Sequence, residues 1–153
     1  MSILLLALAL AGPASESDSS RSDERVTCSV DVHSLDETGA RRSARRVSAA
    51  VAPSVVFRGK LGEHDSEAAP MLLFDVFNPR GQRYQVLVAE QRVAIVERDG
   101  RRFKRVNKLR EASLAVAGSS IAWTSMYGRW RVVPRIEGEA KPCGRAEYFT
   151  IRP

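Results

Sequence analysis

The clearest alternation of apolar and polar positions runs over residues 71–98, MLLFDVFNPRGQRYQVLVAEQRVAIVER. Residues 71–77 are a short apolar run, residues 84–88 place Tyr and Val at every second position, and residues 93–96 are again apolar and β-branched. Runs of this length and period are typical of β-strands. The stretch therefore predicts three consecutive strands that form an antiparallel meander.

Two short polar segments predict the turns around these strands. Residues 78–81, NPRG, combine a proline that fixes φ with a glycine that tolerates positive φ, so the chain is expected to reverse there. Asp99 and Gly100 form the dipeptide that favours a two-residue hairpin turn, which leads into a fourth strand.

Similar short strands are predicted along the rest of the chain. Residues 26–32 alternate apolar and polar side chains, and residues 53–61 form a β-branched run in which Gly59 marks a bulge or a close backbone approach. Further β segments are predicted at 113–117, 121–127, 130–133 and 148–151. This spacing predicts an all-β domain, a single small β-sandwich or β-barrel of roughly seven to nine strands, with an OB-like barrel carrying an N-terminal extension as the alternative.

The N-terminal quarter differs from the rest of the chain. Residues 3–11, ILLLALALA, are apolar but too few to cross a bilayer, and small residues follow them. This is typical of a signal peptide at residues 1–14, although no Lys or Arg precedes the apolar run. Residues 15–25 are rich in Ser, Asp and Glu and predict a disordered acidic leader, so the β-domain is expected at 26–153.

The chain has two cysteines, Cys28 and Cys143, and neither lies in a metal-binding or nucleophile motif. In an exported protein the expected arrangement is one disulfide that ties the beginning of the domain to its end. Two separate buried thiols are the alternative. A secreted location and an extracellular disulfide therefore support each other.

Charge is divided unevenly along the 153 residues, whose net charge is +6. Seven acids and two arginines precede Arg41, so the remaining 22 bases and 11 acids give the later part of the chain a surplus of 11 positive charges. Secreted basic domains tend to meet polyanions such as sulfated glycans, anionic lipid headgroups or nucleic acid. No membrane-spanning segment is predicted.

The strongest basic run is residues 101–110, RRFKRVNKLR, which is predicted as an edge strand because charge on both faces discourages strand addition. The functional interpretation is an anion-binding patch made of Arg101, Arg102, Lys104, Arg105, Lys108 and Arg110. The alternative is edge protection and solubility alone.

Residues 41–46, RRSARR, predict a solvated basic loop, and a processing site at Arg42, Arg45 and Arg46 is the sharper hypothesis, since paired bases in an exposed loop are where nicking is tolerated. A bridge between Cys28 and Cys143 would hold the two pieces together after such a cut.

Signs of catalysis or of a cofactor are few. Glu63, His64, Asp65 and Glu67 form an acidic cluster, but its spacing fits no calcium loop, so no metal or cofactor is predicted. Nucleophile elbows and phosphate-binding glycine motifs are not found. A hydrolase with a carboxylate pair for glycoside chemistry is the remaining enzyme hypothesis, in which any two of Asp75, Glu90, Glu97 and Glu111 converge. Trp123, Tyr127 and Trp130 are interpreted as core and rim aromatics, with a ligand platform as the alternative.

One local resemblance concerns Cys28 and residues 52–61, APSVVFRGKL. This segment resembles the part that precedes the immunoglobulin domain in neuregulin-type growth-factor precursors, and its VVxxGK strand is similar to the opening of netrin-like modules, which are OB-type barrels. The resemblance implies a secreted or shed precursor with a basic surface for matrix glycans. It covers about a tenth of the chain, and the several disulfides of netrin-like modules and an EGF-like cysteine framework are both missing, so no functional residue is carried over.

These observations predict a secreted, non-catalytic extracellular binding module that contacts a polyanionic partner such as a sulfated glycan, as part of a growth-factor-like precursor if the resemblance holds. The alternatives are a structural interaction domain from a larger extracellular protein, which binds another extracellular protein, and a carboxylate-based hydrolase. Nucleic acid is not favoured as a partner, because the predicted location is extracellular.

Overall fold

The structure is a computed structural model that describes residues 25–36, 38–43, 45–63 and 69–153, with only the backbone at 92–94 and 103–108. Ten strands and one short helix lie in these ranges: β1 (Cys28–Leu35), β2 (Arg41–Ser43), β3 (Arg46–Ser48), β4 (Ser54–Leu61), β5 (Leu72–Phe77), β6 (Arg83–Val88), β7 (Glu90–Arg98), β8 (Arg101–Ala115), α1 (Ser120–Trp123), β9 (Gly128–Ile136) and β10 (Glu147–Arg152). The predicted all-β class is confirmed.

The strands form two five-stranded sheets. The first sheet has the order β2-β1-β4-β8-β7 and the second has the order β3-β10-β9-β5-β6. Neighbouring strands are antiparallel, with the exception of β3, which runs parallel to β10. Two separate sheets make the domain a sandwich, unlike the single closed five-stranded barrel of an OB fold.

The core lies between the inner faces of the two sheets, as the period of two along each strand dictates. Phe57 of the first sheet contacts both Phe74 and Phe149 of the second, with ring centroids 5.9 Å and 5.6 Å apart. Trp130 is fully buried and stacks against Phe149. Interdigitated aromatic rings of this kind contribute through buried area and through edge-to-face contacts.

Gly59 of β4 lies directly against side chains of β5 in the opposite sheet. A Cβ at this position would overlap the side chain of Leu72 and would stand 2.8 Å from Phe74 Cζ. The predicted close backbone approach is therefore present, and no register shift interrupts the pairing of β4 with either neighbour.

The predicted three-stranded meander is wrong at one junction. β5 and β6 form the expected hairpin around residues 78–81, but β6 belongs to the second sheet and β7 to the first. The chain crosses at Ala89, which is 4% exposed and donates its N–H to the carbonyl of Leu72. A small buried residue allows the sharp passage, whereas period alone does not show that the next strand joins another sheet.

Two other predictions need correction. Residues 121–127, expected as a strand, form α1 and the turn after it, because the Ser119 side chain accepts from the Ile121 N–H and caps a helical turn. β8 is not an edge strand along its whole length, since residues 109–115 pair with β4, and Arg110 and Glu111 pair with β7 as well. Only its first half, residues 101–106, pairs with β7 alone in the described part of the chain.

Candidate anion-binding surfaces

The predicted basic strand forms one arm of a hairpin that extends beyond β4. The turn at its end is made by Asp99 and Gly100, whose φ angles of 54° and 70° are those of a two-residue hairpin turn with both central residues left-handed. Arg98, Arg101 and Arg102 are exposed around this turn. We call residues 97–102 the hairpin tip.

Acids accompany the bases of the hairpin tip. Arg98 Nε lies 4.0 Å from Asp99 Oδ2, and Glu97 is the register partner of Arg102. Two carboxylates within this six-residue segment partly offset its three arginines, so the tip is a weaker anion site than residues 101–110 suggest on their own. For the predicted Lys104, Arg105 and Lys108 the structure describes the backbone, which lies in β8.

Arg110 is a correction to the predicted anion-binding set. Its side chain is 7% exposed, and the guanidinium donates a hydrogen bond of 2.6 Å to the carbonyl of Pro70. The register places it opposite Gly59, on the inward-facing side of β8. Arg110 therefore holds the edge of the core and is not available to a ligand in solvent.

The segment predicted as a basic loop at 41–46 is also corrected. Arg42 lies in β2, where it pairs with Asp36 at 3.4 Å, and a hydrogen bond from Thr38 lowers the pKa of that carboxyl. Arg46 lies in β3, and the preceding Arg45 accepts the N–H of Thr150 at its carbonyl. Arg42 is thus held in the first sheet, whereas Arg45 and Arg46 are bound to β10 of the second sheet.

The predicted disulfide between Cys28 and Cys143 is confirmed. The Cα atoms are 5.3 Å apart, within the range of an unstrained bridge, and the Cys28 N–H donates to the carbonyl of Cys143. The bridge joins the first residue of β1 to the segment after β9, and Gly144 packs so closely on Cys28 that a side chain there would overlap the Cys28 carbonyl.

A second basic surface lies on the outer face of the second sheet, where no continuous run of bases in the sequence marks it. We define the arginine face as Arg46 of β3, Arg83 of β6, Arg129 and Arg131 of β9 and Arg152 of β10. Four of them are exposed and Arg131 is half-buried. No carboxylate in the described ranges forms an ion pair with any of the five.

Two members of the arginine face lie against aromatic rings. The Arg129 guanidinium carbon is 4.1 Å from the centre of the Tyr148 ring, and the Arg131 guanidinium carbon is 4.3 Å from the centre of the Phe77 ring. A cation this close to a ring centre is attracted by the quadrupole of the ring. Both side chains are therefore held in place on the sheet.

Asp75 of β5 is an acid on the outer face of the second sheet. It is 7% exposed and is bound by Arg135, whose Nε and second terminal nitrogen donate at 2.7 Å and 3.2 Å. The hydrogen bond to Asp75 raises the pKa of Arg135 above its ordinary value. Asp75 and Arg135 neutralise each other, which leaves the charge of the arginine face intact.

An open cleft of about 510 Å³ lies beside this pair. Asp75, Phe77, Arg83, Arg131 and Arg135 line it from the sheet, together with residues of the 139–142 turn. The cleft is wide and charged, unlike the enclosed, largely apolar pockets that bind small organic ligands.

The carboxylates of the hydrolase hypothesis are divided: Glu90 and Glu111 line one open cleft of about 360 Å³, whereas Asp75 lies in the other sheet and Glu97 at the hairpin tip. Asp75 and Glu111 lie on different sheets, and Glu111 is held on the outer face of the first sheet by Arg58 at 2.6 Å and Arg41 at 2.9 Å. Glu90 is the register partner of Glu111, but it is exposed. Glu111 is therefore already engaged by two guanidinium groups.

Among the described residues, no group of three or more His, Cys, Asp or Glu side chains is arranged to hold a metal ion. Three members of the acidic cluster, His64, Asp65 and Glu67, lie outside these residues. Likewise, no helix in the described ranges is long and apolar enough to cross a bilayer.

The predicted aromatic group is divided, since Trp130 is fully buried while Trp123 is 81% exposed.

Comparison with known proteins gives no relative: no family model, curated protein or solved structure matches this chain. The signal for the arginine face is present in residues 129–135, RWRVVPR, where arginine alternates with core residues over the length of a strand. Charge density along the chain draws attention to residues 101–110, whereas the face is assembled from four separate strands.

Proposed function

We propose that this protein is a secreted, non-catalytic extracellular binding module whose partner is a polyanion. The observation that carries the proposal is the set of five surface arginines on the second sheet that lack an acidic partner in the described part of the chain. Unpaired guanidinium groups bind sulfate, phosphate and carboxylate oxygens in a bidentate manner. A face of one charge also steers an oppositely charged polymer toward it.

Affinity chromatography tests the proposal. The disulfide-bonded protein is expected to elute from immobilised heparin at a higher NaCl concentration than from a sulfonate cation exchanger of equal charge density, because arranged arginines recognise more than bulk charge. Elution from heparin at the same or a lower salt concentration than from the exchanger would contradict polyanion recognition and leave only net charge.

The predicted contribution of the hairpin is tested in the same experiment. A variant with Arg101, Arg102, Lys104 and Arg105 all changed to Ala removes the bases of the sequence-predicted patch that precede Lys108 and the buried Arg110. If its elution from heparin matches that of the wild type, the patch assignment is wrong, although the protein as a whole still binds.

The extracellular location is supported by the Cys28–Cys143 bridge, since such bonds persist in oxidising compartments. Intact mass of the secreted protein, with and without reductant, is the test. A mass that lacks the first 11 to 14 residues and increases by two hydrogens on reduction is expected. An unprocessed mass with two free thiols would remove the case for an extracellular partner.

A further inference from the structure

We infer that the arginine face, rather than the hairpin tip, is the docking surface, and that its ligand is an extended sulfated glycan chain. The inference rests on the proposed function and specifies both the surface and the class of polymer. The described side chains form two basic surfaces on the sandwich, and three properties separate them: charge balance, order of the side chains, and the spacing of the charges.

Charge balance favours the arginine face. Its five arginines lie on four of the five strands of the second sheet, and the outward-facing acid of those strands near them, Asp75, is already bound by Arg135. Glu139, which lines the same cleft as Arg83 and Arg131, lies in the turn after β9, at one margin of the face. The hairpin tip has three arginines beside Glu97 and Asp99. A polyanion that lies along the tip meets two carboxylates, which repel it at close range.

Side-chain order also favours the arginine face. Exposed arginines lose rotamer freedom when they bind a ligand, and this loss weakens binding. Arg129 and Arg131 are already held against Tyr148 and Phe77, so less freedom is lost. A guanidinium group that contacts a ring through its flat side keeps its N–H edge free to donate to oxyanions.

The spacing of the charges suits a polymer with repeated anionic groups. Arg129 and Arg131 are two positions apart on β9, which separates their Cα atoms by about 7 Å. Arg131 and Arg83 occupy register positions on either side of Phe77, so two strand spacings of about 4.8 Å separate them. From β3 to β6 the face spans about 19 Å, more than a single phosphate or sulfate group occupies.

The aromatic rings favour a glycan over single-stranded nucleic acid. Proteins that bind single strands stack the bases on exposed aromatic rings. On this face the rings of Tyr148 and Phe77 already contact guanidinium groups, so a base competes with an arginine for each ring. A sulfated sugar chain needs only the oxyanion contacts that the guanidinium edges supply. The disulfide supports an extracellular setting, where sulfated glycans occur.

Two variants of equal charge test the assignment. The face variant carries Arg83→Gln, Arg129→Gln and Arg131→Gln, and the tip variant carries Arg98→Gln, Arg101→Gln and Arg102→Gln. Calorimetric titration of the full disulfide-bonded protein with a heparin octasaccharide is carried out at several NaCl concentrations. Thermal unfolding of each variant confirms that these surface changes leave the fold intact.

The face variant is expected to bind heparin at least about tenfold more weakly than the wild type, with the slope of log Kd against log salt reduced by about two. The tip variant is expected to change affinity by less than about threefold. A third variant with Arg129→Lys and Arg131→Lys keeps the charge but removes the guanidinium group over each ring. It is expected to keep the salt slope while affinity falls several-fold.

The outcomes separate the inference from the proposed function. If wild-type protein does not bind heparin, the proposed function fails. If it binds but both triple variants lose affinity equally, or the tip variant loses more, the arginine face is not the docking surface while polyanion binding stands. Tighter binding of a single-stranded DNA oligonucleotide or of phosphatidylserine vesicles than of the octasaccharide, at matched anionic charge, would overturn the glycan assignment.

Discussion

At the scale of single residues, the chain's most informative side chain is Asp75. It is the buried acid on a sheet face that otherwise carries unpaired arginines, and it is held by Arg135 through two hydrogen bonds. An acid in that position has two effects at once: it stabilises the fold by pairing, and it removes one arginine from the charge offered to a ligand.

The variant Asp75→Ala is expected to be less stable than the wild type but to bind heparin more tightly. Removing one partner of a mostly buried ion pair leaves Arg135 uncompensated and should lower the free energy of unfolding by about 2–4 kcal/mol, measured by urea denaturation. The freed Arg135 should strengthen heparin binding about two- to fivefold at a temperature where the variant is folded.

Asp31→Ala is the matched control, because Asp31 is exposed on the outer face of the first sheet. It should change the free energy of unfolding by less than about 0.5 kcal/mol. If Asp75→Ala binds heparin no better than this control, Arg135 does not take part and the ligand does not lie over this part of the sheet.

The sequence predicts the role of a single residue only when that role depends on the residue's neighbours along the chain. Gly59 could be identified because a glycine weakens a β-branched strand unless a bulge or a close neighbour requires it, and Cys28 and Cys143 could be paired because the chain has no third cysteine. The burial of Arg110 could not be predicted, since it depends on the carbonyl of Pro70, which lies 40 positions away in the chain. A basic run does not reveal which of its members faces inward.

At the scale of elements, strand period predicts where strands run but not which sheet they join. β5, β6, β7 and β8 follow one another with short turns, and both of the predicted turns are present. The step from β6 to β7 nevertheless changes sheets at Ala89. Both arrangements satisfy the same alternation, because tertiary packing alone decides which face is covered.

The short strands β2 and β3 lead to a prediction about processing. A convertase-type protease must bind an extended substrate segment, but Arg45 and Arg46 are hydrogen-bonded or paired with β10 and Arg42 lies in β2. The folded protein should therefore resist cleavage after Arg45, and unfolding in urea should make that bond susceptible.

Limited proteolysis with a convertase of R-x-x-R specificity, followed by reducing mass analysis, checks this prediction. Cleavage in urea provides the positive control for recognition of the sequence. Rapid cleavage at Arg45 in native buffer would show that the junction between β2 and β3 opens readily, and would restore the processing-site hypothesis.

At the scale of the whole molecule, the disulfide links the beginning of the β-domain to a segment near its end. Cys28 and Cys143 are separated by 115 positions, so the bridge encloses most of the domain. On the chain-entropy estimate, a closed loop of this length stabilises the folded state by about 4–5 kcal/mol, mainly by restricting the unfolded chain. The domain should depend on the bridge for a large part of its stability.

The variant with Cys28→Ser and Cys143→Ser should therefore unfold at a lower urea concentration, with a free energy of unfolding reduced by about 2–5 kcal/mol. Wild-type protein in reductant should behave in the same way, which controls for the serine side chains. An unchanged urea midpoint in both would mean that the bridge forms without contributing to stability.

Charge at this scale could be predicted only in part. The surplus of bases after Arg41 indicates a basic domain, and that composition is visible in the sequence. The sequence does not show which of those bases are available to a ligand. Arg41 and Arg58 are paired with Glu111, and Arg110 is buried. The five arginines of the second sheet lie on four strands that are adjacent only after folding.

The central claim is that an ordered basic surface binds a polyanion, and the most direct test is the salt dependence of wild-type binding to heparin. Titration across about 50–300 mM NaCl should give a straight line of log Kd against log salt, with a slope equivalent to about three to five displaced counterions. Absence of binding at the lowest salt concentration, or an affinity that does not change with salt, would contradict the account.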